Sequence, residues 1–234
     1  MTTTPKTHLK IDIVSDVSCP WCVIGLTALE NALIQASDVV TADLHFQPFE
    51  INPDMPPGGQ DMAENLTRKY GSTPEQQAQS REAIRQRGAA LGFEFRPEGR
   101  GRIYNTFDAH RLLYWAGLED AKTAAGGQQR ALKKAILSAY FTHGQSPADH
   151  EVLVQLAGQA GLDEVRARAV LDGDEFGLEV REREQFYQRA GISGVPAVII
   201  NDRHLISGGQ PVEVFEQALR QIAGQISGQM AQEA

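Results

Sequence analysis

The chain has 234 residues, 41% hydrophobic and 22% charged, with a formal net charge of −8. That length allows one or two domains with a substantial core, and the acidic balance argues against a nucleic-acid partner or an anionic membrane surface. No apolar run approaches the ~20 residues that span a bilayer, and two cysteines, Cys19 and Cys22, are too few for a disulfide scaffold.

The opening MTTTPKTH has no apolar core and no small-residue cleavage site, so the expectation is a cytoplasmic protein without a leader. Residues 9–15, LKIDIVS, alternate apolar and polar positions and read as a strand. Cys19-Pro20-Trp21-Cys22 follows. Cys22, Leu26, Leu29 and Leu33 then recur at helical spacing, predicting an amphipathic helix over about 21–36. A second strand is expected over 40–49, which completes a β-α-β unit and favours a parallel pair. The breaker-rich stretch 52–59 is a loop, read either as a groove wall at Met55-Pro56-Pro57 or as a plain connection.

From about 61 to 190 the patterns are helical, with no strand predicted. Helices are expected over 74–91, from Asn105 or Thr106 through Trp115, and over 128–142, 147–160, 163–172 and 174–190. Residues 197–200 and 204–207 flank an Asn201-Asp202-Arg203 turn and predict a hairpin. Pro211 opens a last helix, and the small polar tail from Gly224 is expected to fray. The order predicts an α/β protein: a discontinuous thioredoxin-like domain, 8–55 and 191–224, interrupted by a helical domain over 60–190.

The cysteine pair carries the chemistry. A strand-to-helix turn places Cys19 at a helix N-terminus, where free N–H groups and the helix dipole favour an anion and lower a thiol pKa. Pro20 suits the first helical position, where its missing N–H is not needed. Cys22, one turn on, can resolve a mixed disulfide formed at Cys19. A zinc site would need further ligands, and no second CxxC or close His pair exists. Gly194-Val195-Pro196-Ala197 precedes a strand, a place where proline is tolerated. A cis Val195–Pro196 bond would present the Val195 backbone to an extended substrate.

The segments SDVSCPWCVIG (15–25), FQPFEINPDMPPGG (46–59), NTFDAHRLLYWA (105–116), GISGVPAVIIN (191–201) and SGGQP (207–211) together resemble the DsbA-like thioredoxin superfamily, within it the FrnE branch. The resemblance implies a thioredoxin-like fold with a large inserted α-helical domain and disulfide oxidoreductase or isomerase activity. It also implies Cys19 as nucleophile, Cys22 as resolving thiol and a cis Pro196. Pro20, Trp21, Val195 and Pro196 are expected to bind substrate.

Two features depart from DsbA. Trp21 stands where DsbA has a histidine, which predicts a less acidic Cys19 and a milder oxidant. Ile13 stands six residues before the nucleophile, where many thioredoxin-fold enzymes bury an acid. Asp16 is nearer and is read either as such an acid or, in preference, as a helix cap. Asn105, Asp108, His110 and Arg111 form a polar cluster at a helix start. His110 is read either as a substrate contact or as the partner of a buried group.

The expected substrate is a disulfide- or dithiol-bearing protein or small molecule. No bound cofactor is expected beyond the cysteine pair itself, glutathione is a candidate reductant, and a homodimer is possible. The alternative function is a glutathione-dependent isomerase or transferase similar to 2-hydroxychromene-2-carboxylate isomerase. That family usually has Ser in place of the nucleophile, with a Ser-Asp pair near the last helix. Gly208-Gly209-Gln210 supplies no such carboxylate.

Overall fold

The computed structural model describes residues 6–56, 58–123 and 126–233. The chain opens with strand β1 (Thr7–Ser15), helix α1 (Pro20–Gln35) and strand β2 (Val40–Pro48). Two short strands, β3 (Gln60–Asp61) and β4 (Arg102–Ile103), bracket helices α2 (Met62–Tyr70) and α3 (Pro74–Leu91). Five helices follow: α4 (Phe107–Asp120), α5 (Gln128–Phe141), α6 (His150–Gln159), α7 (Glu164–Asp172) and α8 (Gly177–Arg189). The chain closes with β5 (Ala197–Ile200), β6 (His204–Ser207) and α9 (Val212–Glu233).

The main sheet has the order β2-β1-β5-β6. β1 and β2 pair in parallel, Ile13 opposite Phe46, while β5 runs antiparallel to β1, Ile13 opposite Val198. This is the thioredoxin-like α/β arrangement with an inserted helical segment that the resemblance implies.

β1 alternates only at its start. From Ile11 to Ser15 every residue is buried, because both faces of the sheet are covered there, as in strands sandwiched by helices. One face packs Leu9, Ile11 and Ile13 against Val23, Leu29, Phe215 and Leu219. The other packs Val14 against Phe49 and Tyr187. The first core also takes Phe95, Leu137, Tyr140 and Phe141 from the inserted segment. A second core lies among α4 to α7, reached from the sheet side by Val17.

Several expectations change: α4 runs on to Asp120, past Trp115, and α8 begins at Gly177 rather than 174. The inserted segment holds a two-stranded antiparallel sheet, β3–β4, too short for any periodicity to register. Helix α6 begins at His150 rather than 147, because the Asp149 side chain caps it by accepting from Glu151 and Val152 N–H. The tail does not fray at Gly224: α9 continues to Glu233, with Ile222 and Ala223 in the core. The hairpin forms as expected, with Asn201 and Asp202 both left-handed (φ 51° and 56°), the geometry of a type I′ turn.

Candidate active site

The turn from β1 into α1 is built on Asp16. Its carboxylate accepts from Ser18 N (3.0 Å), Ser18 Oγ (2.9 Å) and Ile51 N (2.8 Å). It therefore ties the turn to the segment after β2. The helix-cap reading of Asp16 is corrected: the N-cap of α1 is Cys19, with no side-chain cap and with Pro20 next in the first turn. The first-turn N–H groups are thus left to the Cys19 sulfur rather than to a capping oxygen. Burial alone would raise the Asp16 carboxyl. The facing His110 imidazole and the two backbone donors hold it instead at about 2.

Both cysteines are free thiols, 4% and 2% exposed. The Cys19 pKa is lowered, chiefly because the Cys22 thiol donates to its sulfur, with help from Cys22 and Trp21 N–H. Burial and the Asp16 charge work the other way. Cys22 is raised well above the ordinary thiol value by burial and by the neighbouring Cys19. The pair is therefore asymmetric: one sulfur ionises readily at the helix tip, and the other holds its proton behind it.

The Val195 carbonyl accepts from the Cys19 thiol at 3.7 Å, and the Val195–Pro196 peptide is cis. Two glycines permit this approach. A Cβ at Gly25 would lie 2.9 Å from Pro196 Cγ, and one at Gly209 would lie 3.1 Å from the Trp21 carbonyl. Trp21 is 38% exposed, with the Arg87 guanidinium 5.5 Å from its ring centroid. Helix α3 of the inserted segment therefore borders the cysteine motif.

Cys19, Pro20, Trp21 and Val195 line a groove of about 760 Å³, walled opposite by α2, α3 and residues 95–103. Lys69, Arg81, Arg85, Arg96 and Arg100 line it against a single carboxyl among the described residues, Glu50. Arg85 pairs with Glu82 and Arg96 with Glu98. Lys69, Arg81 and Arg100 have no carboxylate partner among the described residues. Burial, then the neighbouring Glu184 charge, push Glu50 up to about 7, despite Arg181 donating to it.

Cys19, Cys22, Pro20, Trp21, Val195 and Pro196 thus come together, but His110 does not join them at the groove. It is 2% exposed, with Nε2 3.7 Å from Asp16 Oδ1. Its reading as a substrate contact is corrected to that of a buried partner. Arg111 bonds Asp108 and the carbonyls of Val170, Gly173 and Glu175, clamping α4 to the end of α7. Asn105 accepts from Phe107 N–H at the start of α4. Met55 is buried, and neither it nor Pro56 lines the groove; Pro57 lies outside the described residues.

Sequence reasoning missed Arg100 and Lys133. Arg100 donates to the Ser18 carbonyl and stacks on Tyr140 and Phe141; a Gly-Arg-Gly-Arg stretch carries no signal for that. Lys133 is buried near Cys22. It interrupts an apolar stripe, since Ile136, Leu137 and Tyr140 follow at i+3, i+4 and i+7. A lysine in that register was the available signal.

The DSBA-like thioredoxin domain matches residues 10–220. The chain is 27% identical over 214 residues to the uncharacterized protein YwbO of Bacillus subtilis, covering 91% of this chain and 95% of that one. It is 35% identical to a solved probable DsbA oxidoreductase from Streptomyces coelicolor, with a TM-score of 0.82 over 93% of this chain and 91% of that one. It shares the fold of the cytosolic disulfide reductase DsbM from Pseudomonas aeruginosa, solved with GSH (17% identity, TM-score 0.57, 91% of this chain and 98% of that one).

Proposed function

Because the chain belongs to the DSBA-like thioredoxin domain family, we propose that it is a thiol–disulfide oxidoreductase of the FrnE type, with Cys19 as nucleophile and Cys22 as resolving thiol. The observation that carries this reading is the asymmetric pair: an acidified Cys19 at the open N-terminus of α1 and a proton-holding Cys22 one turn behind it.

The chemistry follows from that asymmetry. The Cys19 thiolate attacks one sulfur of a substrate disulfide. The Cys19–substrate bond forms, the substrate S–S bond breaks, and one substrate thiolate leaves. Cys22 loses its proton and attacks Cys19 Sγ, which releases the second substrate thiolate and leaves a Cys19–Cys22 disulfide. Run in reverse, the same steps oxidise a dithiol; if Cys22 is slow, Cys19 reshuffles bonds as an isomerase. Pro20, Trp21, Val195 and Pro196 form the surface on which the substrate chain lies, in the mode of an extended segment meeting backbone groups.

Glutathione is the reductant this reading favours. It is an anionic thiol, the groove carries Lys69, Arg81 and Arg100, which have no carboxylate partner among the described residues, and DsbM shares the fold. A cytosolic setting suits a reductant of that kind.

The test is insulin reduction with glutathione or dithiothreitol by the native protein, Cys19→Ser and Cys22→Ser. The expected result is activity in the native protein, none in Cys19→Ser, and a trapped mixed disulfide in Cys22→Ser. Glutathione-dependent isomerase or transferase activity surviving both substitutions, without disulfide reduction, would replace this reading with the alternative.

A further inference from the structure

Lys133 has no part in the chemistry above. It is 1% exposed, on α5, and its Nζ has no hydrogen-bond partner among the described residues. Its neighbours on the helix explain where it goes. One turn earlier, Gln129 bonds the Phe46 N–H and carbonyl of β2. Leu132 and Ile136 face the second core, while Leu137 and Tyr140 belong to the first, as does Val23 of α1; Arg130 and Lys134, on either side of Lys133, bond Glu30 of α1. Lys133 therefore enters the seam between the two cores.

The groups that act on it there are Cys22 first, then Asp16 and Cys19. Further charged or titratable groups around this cluster are His110 on α4, 3.7 Å from Asp16 and likewise unpartnered at Nε2. Glu50 follows β2, Arg100 donates to the Ser18 carbonyl, and Tyr140 donates to the Arg102 carbonyl. None of these makes a hydrogen bond to Nζ.

An ammonium buried without acceptors is strongly disfavoured. Burial accordingly lowers the Lys133 pKa, and only the negative groups nearby oppose that. A neutral amine carries a lone pair, and Cys22 carries a proton that must leave before it can attack.

We infer that Lys133 is the proton acceptor for Cys22 in the resolving step. This rests on the dithiol mechanism proposed above. In the mixed disulfide Cys19 is uncharged. Since Nζ makes no direct hydrogen bond to Cys22 in the dithiol, the Cys22 S–H passes its proton to Lys133 Nζ through one bridging water, turning amine to ammonium. The Cys22 electron pair attacks Cys19 Sγ; the Cys19–Cys22 bond forms and the Cys19–substrate bond breaks. The leaving electron pair stays on the substrate thiolate. With both cysteines in the disulfide, the ammonium keeps only Asp16 as a nearby anion and returns its proton to solvent before the next cycle. Lys133 thus acts through Cys22 and does not meet the substrate.

The test is a single turnover of reduced protein with excess 5,5′-dithiobis(2-nitrobenzoate). The first release of thionitrobenzoate reports attack by Cys19, and the second reports resolution by Cys22. Native protein, Lys133→Met, Lys133→Arg and Cys22→Ser are compared. A native protein giving no first release, or one release only, removes the dithiol reading itself.

If Lys133 is the acceptor, Lys133→Met leaves the first release unchanged. Its second release slows ~10²-fold or more, the scale of a lost general base, and that rate climbs about tenfold per pH unit through about pH 9, where the native rate is flatter. Lys133→Arg stays slow, because arginine keeps a charge but does not accept a proton. A second release in Lys133→Met within about threefold of native overturns the inference. So does full recovery in Lys133→Arg, which would make the charge alone sufficient. Should either variant fail to fold, a native second release that itself climbs tenfold per unit to about pH 9 overturns it as well.

Discussion

At Asp16, burial is opposed by the facing His110 and by hydrogen bonds, and the latter two prevail. The facing His110 imidazole first, then the donors from Ile51 and Ser18, hold the carboxylate at about 2. A folded-state value below the ordinary carboxylate range stabilises the fold above about pH 4, and that contribution fades as the pH falls toward about 2. Asp16→Asn should therefore cost about 2 kcal/mol at pH 7 and progressively less in acid, measured by urea unfolding across pH. The same charge opposes ionisation of Cys19, so the substitution should move the midpoint of Cys19 alkylation to lower pH. A midpoint that rises would mean that Asp16 supports the thiolate through the turn geometry instead. These roles were only half legible. The acid near the nucleophile stood out in the sequence, but its partner Ile51 is 35 positions away. Lys133 and Arg100 lay further out of sight, since only the fold brings them to the cysteines.

The elements were more legible than their ends. Strand alternation in 9–15, the apolar spacing after Cys22 and the hairpin punctuation each name a local structure, and each forms. The stripe read on α1 is nevertheless narrower than its buried surface. Val23, Ile24, Ala28 and Ala32 are buried too, because α9 and α3 pack beside it. That crowding makes Gly25 informative. A glycine inside a helix costs up to ~1 kcal/mol relative to alanine, so Gly25→Ala would stabilise an isolated α1. In this fold the new Cβ meets the Pro196 ring at 2.9 Å and Gly209 Cα at 3.4 Å. Overpacking of that kind costs ~1–3 kcal/mol and exceeds the gain. The expected outcome is a melting temperature lower by a few degrees, measured calorimetrically, with slower alkylation of Cys19 as Val195 is displaced. A higher melting temperature would mean the ring yields freely and the contact positions nothing.

Across the whole molecule, the net charge of −8 argues on average for repulsion of anions and is a poor guide to the groove. Composition averages over the surface, whereas Lys69, Arg81, Arg85, Arg96 and Arg100 gather on one wall only because α2, α3 and the segment before β4 converge there. At long range the acidic chain repels an anionic substrate; within the groove the cations attract it. Salt screens these charges over about 10 Å at 0.1 M ionic strength. The local attraction acts at the step that places the sulfur beside Cys19, so screening it should outweigh relief of the distant repulsion. Between about 0.05 and 0.5 M salt, kcat/KM for oxidised glutathione should fall several-fold, while that for the uncharged hydroxyethyl disulfide should stay within about twofold. Arg81→Glu should reproduce the loss at low salt for the anionic substrate alone, since Arg81 lines the groove without a carboxylate partner among the described residues and makes no hydrogen bond to the cysteine motif. Equal salt dependence for both disulfides would show that the groove selects by shape and leaves its charges to solubility.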